Sequence, residues 1–171
     1  MNLNRKIQIA IIFLAGALLT YAGVYFYRQA QLLQKMQVGF SGGKIKSLSL
    51  SSITLELGLK FSNVSDIDIT IQTYAFDVYI NGKAIMKIIA PPPFIITGGT
   101  DTTTMVDVTF EPKSTLANLF SGDVITALLF DYSKVIVQIK GPITLSSAGI
   151  TVDKYQIDQS QTLADLIAMG S

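Results

Sequence analysis

An uncharged apolar segment near the start of the chain constrains the fold more than any other feature. It runs from Ile7 to Tyr27, a length of 21 residues, and contains only Gln8 and Thr20 as clearly polar members. An α-helix rises about 1.5 Å per residue, so this segment spans roughly 30 Å, the thickness of the hydrocarbon core of a bilayer. The segment predicts one N-terminal transmembrane helix.

Aromatic and basic residues at the end of this segment support a membrane anchor. Aromatic rings favour the head-group layer, and Arg28 follows them with a side chain long enough to reach water. A cleaved signal peptide would have a shorter apolar core, and a buried helix would show a polar stripe. The residues assigned to the anchor are Ile7, Ile11, Phe13, Leu14, Leu18, Leu19, Tyr21, Tyr25, Phe26, Tyr27 and Arg28.

Basic residues lie on both sides of the apolar segment. Arg5 and Lys6 precede it, Arg28 and Lys35 follow it, and every acid lies at or beyond Glu56. We favour a single-pass protein with its N-terminus inside and its domain on the opposite side, because a short head is easily retained. The basic flanks suit anionic lipid head groups, and the acidic body gives no reason to expect specific nucleic-acid binding.

A glycine-rich stretch divides the chain. Helical spacing continues to Met36, so residues 1–38 are expected to form the transmembrane helix and a short stalk. The glycines that follow predict a flexible joint over 39–43, with the folded domain over 44–157.

The C-terminal residues 158–171 form a separate amphipathic tail in this division. A terminal amphipathic helix must bury its apolar face on its own domain or on a partner, and the sequence leaves both open. The partner-contact candidates are Leu163, Leu166 and Ile167.

Beyond Lys44 the hydrophobic period is two, which is typical of β-strands. The stretch Ile53–Phe61 alternates cleanly, and Ile67–Ile80 forms a second long strand with a bulge near Gln72,. Asn81-Gly82 predicts a type I′ hairpin, because that turn needs positive φ at both central positions.

The remaining pattern completes a mainly β protein. We predict strands over Ala84–Ile89, Thr102–Phe110, Val135–Ile139 and Ile150–Ile157, turns at Gly98-Gly99 and Gly141-Pro142, and a helical insertion over Thr115–Leu129. Short strands with turns at regular spacing indicate an immunoglobulin-like antiparallel β-sandwich. The predicted fold is therefore such a sandwich, with a short helical insertion, preceded by one transmembrane helix.

Two motifs carry a family resemblance. The strand Ile53–Phe61 leads into Asn63-Val64-Ser65, and the strand through Tyr74 ends in Asn81-Gly82. In this the chain resembles the late-embryogenesis-abundant (LEA) type 2 family, also called the WHy (water stress and hypersensitive response) domain, over roughly residues 44–157. Val64 departs from the family's proline. The resemblance implies a Greek-key-like sandwich, often behind a transmembrane helix, without catalytic residues, that acts in stress protection or in surface contacts.

The residue types needed for most chemistry are missing. The chain has no Cys, His or Trp, which removes disulfides, the commonest zinc ligands and the commonest general base. Asp66 and Asp68 lack the third ligand of a calcium loop. Asn63-Val64-Ser65 is formally a glycosylation acceptor. We therefore expect no enzymatic activity, no catalytic residue, no metal and no cofactor.

The function that follows is that of a membrane-anchored structural or interaction protein. Its partners would be the bilayer, through residues 7–27, and a protein or larger assembly. A narrower version makes the chain a component of an envelope machine or of a virion with an internal membrane. A third reading is a stress-protective or apolar-ligand-binding module, although the side chains of Phe61, Phe76, Phe110 and Phe130 are expected to fill the interior.

Overall fold

The computed structural model describes residues 3–49, 51–89, 93–111 and 131–170, with the side chains of the first helix described from Phe13 onward. The predicted helical insertion over Thr115–Leu129 lies outside the described residues, as does Phe130. The described residues form an N-terminal helix, eight strands, a short 3-10 helix (Tyr132–Lys134) and a C-terminal helix.

Helix α1 (Leu3–Lys35) continues directly into strand β1 (Met36–Leu48). The flexible joint predicted over 39–43 is wrong, because these residues lie inside β1, which pairs antiparallel with β2 (Ile53–Asn63). Glycine in a strand often marks a close backbone approach, and a Cβ on Gly42 would lie 2.8 Å from the Cα of Gly170. The folded domain therefore begins at Met36, ahead of the predicted boundary at residue 44.

The strands form two antiparallel sheets packed as a β-sandwich. In the first sheet, β2 lies between β1 and β6; in the second, the order is β4-β3-β7-β8, and β5 pairs with the start of β3. The remaining strands are β3 (Ile69–Ile80), β4 (Lys83–Ile89), β5 (Phe94–Ile96), β6 (Asp101–Phe110), β7 (Ile136–Ser147) and β8 (Ile150–Thr162). This arrangement confirms the prediction of a mainly β protein with antiparallel sheets.

The core is built from the inward faces of alternating strands. In β2, Leu55, Leu57, Leu59 and Phe61 are fully buried, as a period of two requires. The ring of Phe61 lies 5.4 Å from that of Tyr74 in the opposite sheet. Burying a large apolar side chain contributes about 1.5–3 kcal/mol, so this alternation decides which face of each strand points inward.

Two local predictions in β3 are confirmed. The pairing of β3 with β7 shifts register between Ile71 and Thr73, where the bulge is predicted. At its end, Asn81 and Gly82 have φ values of 48° and 79°, the positive values that a type I′ turn requires. The hairpin then returns as β4.

The predicted turn at Gly141-Pro142 is wrong, because both residues lie in the middle of β7. Gly141 has a φ of 151°, and a Cβ there would overlap the carbonyl oxygen of Ala75. Glycine is needed for the close approach of β3, not for a reversal of the chain. The chain turns at Ala148 and Gly149 instead, with φ values of 48° and 79°.

The C-terminal helix α2 (Leu163–Met169) packs on the sandwich, mainly against β1. Thr162 caps it, since its Oγ1 accepts a hydrogen bond from the Asp165 N–H at 3.1 Å and donates to Asp165 Oδ2 at 2.6 Å,. Because β8 runs through Thr162, the predicted boundary at residue 158 cuts a strand, and the tail is part of the domain.

Candidate functional site

The C-terminal turns of α1 are fixed to one end of the sandwich, which we call the proximal end. Leu32 and Met36 are buried in the core, at 6% and 9% exposure. The Val64 N–H donates a hydrogen bond of 3.0 Å to the Lys35 carbonyl oxygen. The helix and the domain are thus joined by packing and by the backbone, with no free linker between them.

A buried asparagine organises the loops at the proximal end. Asn63 is 1% exposed, and its Nδ2 donates to the carbonyl oxygens of Ile67 at 2.8 Å and Ile96 at 3.0 Å. Its Oδ1 accepts from the Ser65 backbone N–H at 3.0 Å and from the Ser65 hydroxyl at 2.5 Å. An amide held in this way is not accessible as a glycosylation acceptor in the folded chain.

A groove lies between α1 and these loops, with a volume of about 310 Å³. We call it the helix groove. From α1 it is lined by Arg28, Gln31, Leu32 and Lys35, which lie on one helix face at i, i+3, i+4 and i+7,. From the loops it is lined by Ser65, Ile67, Ser147, Ala148 and Ile150.

The helix groove is cationic. Within the described residues, Arg28 and Lys35 form no ion pair, and of the eight described sandwich lysines only Lys83 and Lys154 share that state; the other six, at 44, 46, 60, 87, 134 and 140, each contact a carboxylate. The nearby Asp68 carboxylate accepts from the Gly98 N–H at 3.1 Å, and neither it nor Asp66 lines the groove. An anion in the groove would therefore meet two cations and no lining carboxylate.

The serines of the groove are already engaged. The Ser147 hydroxyl donates to the Asp68 carbonyl oxygen at 2.6 Å, and the Ser65 hydroxyl lies within hydrogen-bond distance of Asn63 Oδ1 and the Ile67 carbonyl oxygen. A hydroxyl has a single hydrogen to donate. Donors for an anion therefore come from the helix side, and the loop side adds apolar surface from Ile67 and Ile150.

The turn beside the groove reaches back along α1. The Thr151 carbonyl oxygen accepts hydrogen bonds from Gln29 Nε2 at 2.6 Å and from the Tyr25 hydroxyl at 3.4 Å. Val64 and Ile67 at the same end are 59% and 48% exposed. The proximal end thus overlaps the level of the last residues of the predicted anchor.

Most of the predicted anchor residues lie on the exposed surface of α1. Ile7 and Ile11 fall outside the described side chains, Tyr25 is half-buried and Arg28 lines the helix groove. Within the part of the chain that the structure describes, no helix is both long and apolar enough to cross a membrane. The remaining anchor residues are between 61% and 75% exposed: Phe13, Leu14, Leu18, Leu19, Tyr21, Phe26 and Tyr27.

The predicted partner-contact residues of the tail face the domain. Leu163 and Leu166 are fully buried, and Ile167 is half-buried against the same core. Of the two alternatives for the tail, the structure shows docking on its own domain. An exposed terminal helix and one that folds back have the same sequence pattern, so the sequence alone could not decide between them.

Glu56, on the first sheet, forms ordinary ion pairs with two lysines. Lys44 and Lys46 contact Glu56 at 2.8 and 2.9 Å, and these hydrogen bonds hold the pKa of its carboxyl below the usual range. In the interior, burial raises the pKa of Tyr74. Among the described residues, no group of three or more acidic side chains is placed to hold a metal ion.

The interior of the sandwich is occupied by side chains. Phe76 is fully buried and stacks on Tyr74 with a centroid distance of 4.9 Å, and Phe94 meets Phe61 edge-on at 5.5 Å. Phe110 is 5% exposed. These described rings pack against one another between the two sheets.

The fold and the groove define a class of protein: an antiparallel β-sandwich with an N-terminal helix docked at one end. Neither a family model nor a curated protein matches the chain. Its sequence therefore assigns it to no family by comparison.

The chain aligns with several solved structures at low identity. A solution structure described as a late embryogenesis abundant (LEA) protein is 15% identical, with a TM-score of 0.43, covering 96% of this chain and 94% of that chain. A protein from Arabidopsis thaliana is 13% identical, with a TM-score of 0.46 and coverages of 74% and 80%. One from Archaeoglobus fulgidus is 15% identical, with a TM-score of 0.40 and coverages of 74% and 94%. Similarity at this level carries no argument about function, so the LEA type 2 resemblance stays a prediction from the sequence.

Proposed function

We propose that this chain is a non-enzymatic, membrane-anchored interaction module, in which α1 crosses the bilayer through residues 7–27 and holds the sandwich at the membrane surface. The observation that carries the proposal is the contrast along α1. Its C-terminal turns are buried in the domain through Leu32, whereas the large apolar side chains from Phe13 to Tyr27 are mostly exposed. An apolar surface of this extent needs a lipid or protein cover.

Lipid fits the ends of this surface. The apolar run includes residues 7–12, whose side chains are not described, and closes with Tyr25, Phe26 and Tyr27. Aromatic side chains of this kind occupy the head-group layer, with a basic residue such as Arg28 beyond them. A helix of this length matches the thickness of the hydrocarbon core.

The rigid junction determines what such a module can do. Because α1 enters β1 without a linker, the sandwich would keep a constant orientation to the membrane. Its proximal end would lie at the bilayer, and its opposite end, the distal end with the Asn81-Gly82 hairpin, would face away. A fixed orientation suits protein contacts at a defined height, either with a single partner or within a larger membrane assembly.

Alkaline carbonate extraction of membranes that contain the full chain tests the anchor. Wild-type protein should stay in the membrane pellet, and the double variant Leu14→Arg/Leu18→Arg should be released, because each arginine near the middle of the span costs about 2.5–3.5 kcal/mol. The matched control is Gln34→Arg/Gln37→Arg, which adds the same charge at exposed positions beyond the span. Release of the wild-type chain would reject the proposal.

The side of the membrane on which the domain lies can be measured by labelling introduced cysteines, because the wild-type chain has no cysteine that would react. We expect a membrane-impermeant maleimide added outside intact cells to label Lys83→Cys and not Asn4→Cys until the membrane is opened. The reverse pattern would keep the anchor and reverse the orientation.

A further inference from the structure

The helix groove is a feature that anchoring alone does not require. It has a floor formed by Leu32, Ile67 and Ile150 and a cationic rim formed by Arg28 and Lys35. We propose that it binds the head group of an anionic phospholipid, with the phosphate at the two cations and the glycerol region over the apolar floor. This inference rests on the proposed membrane anchor.

The position of the groove along α1 supports a lipid as the occupant. Arg28 follows the last residue of the apolar run, and Lys35 lies about 10 Å further along the helix at 1.5 Å per residue. The polar layer on each side of a bilayer is roughly 5–8 Å thick, so the groove opens within and just above the head groups. The contact between Tyr25 and Thr151 places the wall of the groove at the same level.

The chemistry of the lining favours a lipid phosphate over a small free anion. A site for inorganic phosphate usually offers several converging donors, such as backbone N–H groups at a helix N-terminus. Here the Ser65 N–H and the Ser147 hydroxyl already donate within the protein. The groove supplies two cations beside apolar surface, which suits an amphiphile with one negative charge.

Charge complementarity also separates an anionic lipid from a zwitterionic one. Within the described residues, Arg28 and Lys35 are without a carboxylate partner, and no acid lines the groove. A choline head group would bring its own cation next to theirs. Each basic residue near an anionic surface strengthens binding roughly fivefold, so the pair should favour phosphatidylglycerol over phosphatidylcholine by about 25-fold.

The test is native mass spectrometry of the full chain in a neutral detergent, with equal amounts of phosphatidylglycerol and phosphatidylcholine that have the same acyl chains. Wild-type protein should retain phosphatidylglycerol preferentially, and Arg28→Gln/Lys35→Gln should lose that preference, a change of about 25-fold. The control Lys83→Gln/Lys154→Gln removes the same charge outside the groove and should keep it. An unselective wild type, a selective groove variant or an equal loss in the control would each overturn the inference.

A second pair of variants tests the groove from its loop side and leaves α1 unchanged. Ala148 lines the groove with a φ of 48°, a conformation that Asp and Asn tolerate well. Ala148→Asp should weaken phosphatidylglycerol retention by repulsion, whereas the isosteric Ala148→Asn should not. Equal behaviour of the two variants would count against a phosphate in the groove.

Two further measurements distinguish a wrong head-group site from a wrong membrane anchor. Inorganic phosphate at millimolar concentration should not displace the bound lipid, and displacement would show a small-anion site instead. The Arg28→Gln/Lys35→Gln variant should remain resistant to carbonate extraction, because its apolar run is intact. A chain that is embedded in the membrane but unselective refutes only the head-group site, whereas a chain released by carbonate refutes the anchor itself.

Discussion

The two ends of the sandwich each carry an asparagine at a turn, and the two asparagines are held differently. Asn63 at the proximal end is buried, and its side chain bonds to two segments, the loop with Ser65 and Ile67 and the strand with Ile96, which is 33 residues away in sequence. Asn81 at the distal end is half-exposed in a two-residue hairpin with a φ of 48°. One asparagine stabilises long-range packing, and the other stabilises a local turn.

The two ends of the sandwich also differ in the charged and apolar side chains around each asparagine. At the proximal end, the loops around Asn63 hold α1, the unpaired cations of the helix groove and the exposed Val64 and Ile67. At the distal end, the short 3-10 helix carries a paired cation, with Lys134 Nζ at 3.0 Å from Asp131 Oδ2. The two unpaired cations Arg28 and Lys35 share one groove with apolar side chains, so we expect binding at the proximal end.

Replacing Asn63 should have the largest effect on stability. Asn63→Ala removes the donor to the buried Ile96 carbonyl oxygen and to the part-buried Ile67 carbonyl oxygen, and it also removes the acceptor of the buried Ser65 N–H. Each buried group left unsatisfied costs about 1–3 kcal/mol. We expect the free energy of unfolding to fall by about 3 kcal/mol, measured by denaturant titration of the full chain in detergent. A loss below about 1 kcal/mol would show that the proximal loops are held by other contacts.

Replacing Asn81 should have a smaller effect. Its Oδ1 accepts from the Ile136 N–H at 2.6 Å and its Nδ2 donates to the Lys134 carbonyl oxygen at 3.2 Å, but the site is accessible to water. Asn81→Ala should cost about 1–2 kcal/mol, mainly because alanine disfavours a positive φ. Asn81→Gly is the matched control, since it removes the side chain without the backbone penalty. If both variants cost as much as Asn63→Ala, the contrast between the ends is wrong.

The same contrast explains how much of the fold could be predicted from the sequence. The strand Ile53–Phe61, the bulge near Gln72 and the Asn81-Gly82 hairpin depend on residues close in sequence, and all three were predicted correctly. A period of two and a turn with positive φ are local requirements. Such features are readable without knowing what packs against them.

The structural roles of the glycines are harder to predict from the sequence, because glycine occurs both in turns and where two backbones approach closely. Gly42 and Gly141 were predicted to lie in a joint and a turn, yet both lie inside strands that another backbone approaches, at Gly170 and Ala75. The approaching segments are distant in sequence, so no local pattern reveals them. The short strand β5 was missed for the same reason, since its pairing with β3 is its main structural signal.

Only the α1 side of the helix groove could have been predicted from the sequence. Arg28, Leu32 and Lys35 have the i, i+4, i+7 spacing of one helix face, and this spacing could have indicated a surface shared with the domain. The loop side of the groove, with Ser147 and Ala148, comes from more than 100 residues away in sequence. Only the fold brings these two sides together.

A fluorescent probe at each end would sharpen the contrast directly. Ile67→Cys and Lys83→Cys place single labelling sites at the proximal and distal ends of a cysteine-free chain. Each variant is labelled with an environment-sensitive dye and reconstituted in vesicles. The emission of the dye at residue 67 should lie at shorter wavelength than that of the same dye on a peptide in buffer, because the proximal end is near the lipid. The Lys83 site should not shift. Equal shifts at both sites would show that the sandwich lies flat on the membrane.

The smallest expected effect concerns acid at the distal end. The Ser133 hydroxyl and Lys134 hold the pKa of the Asp131 carboxyl below its ordinary value. A carboxyl with a lowered folded-state pKa stabilises the fold above its unfolded pKa of about 3.9. That contribution is lost as the pH falls through the folded value. Between pH 6 and pH 3, the midpoint of thermal unfolding should fall slightly less for Asp131→Asn than for wild type.

The matched control for this measurement is Asp66→Asn, at a turn carboxyl of the proximal end that forms no ion pair within the described residues. This control removes the same charge without breaking an ion pair. Because Asp131 is solvent-accessible, added salt should also reduce the difference between Asp131→Asn and wild type, since screening weakens exposed pairs. A control that flattens the profile as much as Asp131→Asn would mean that net charge, and not the Asp131–Lys134 pair, governs the acid response of this end.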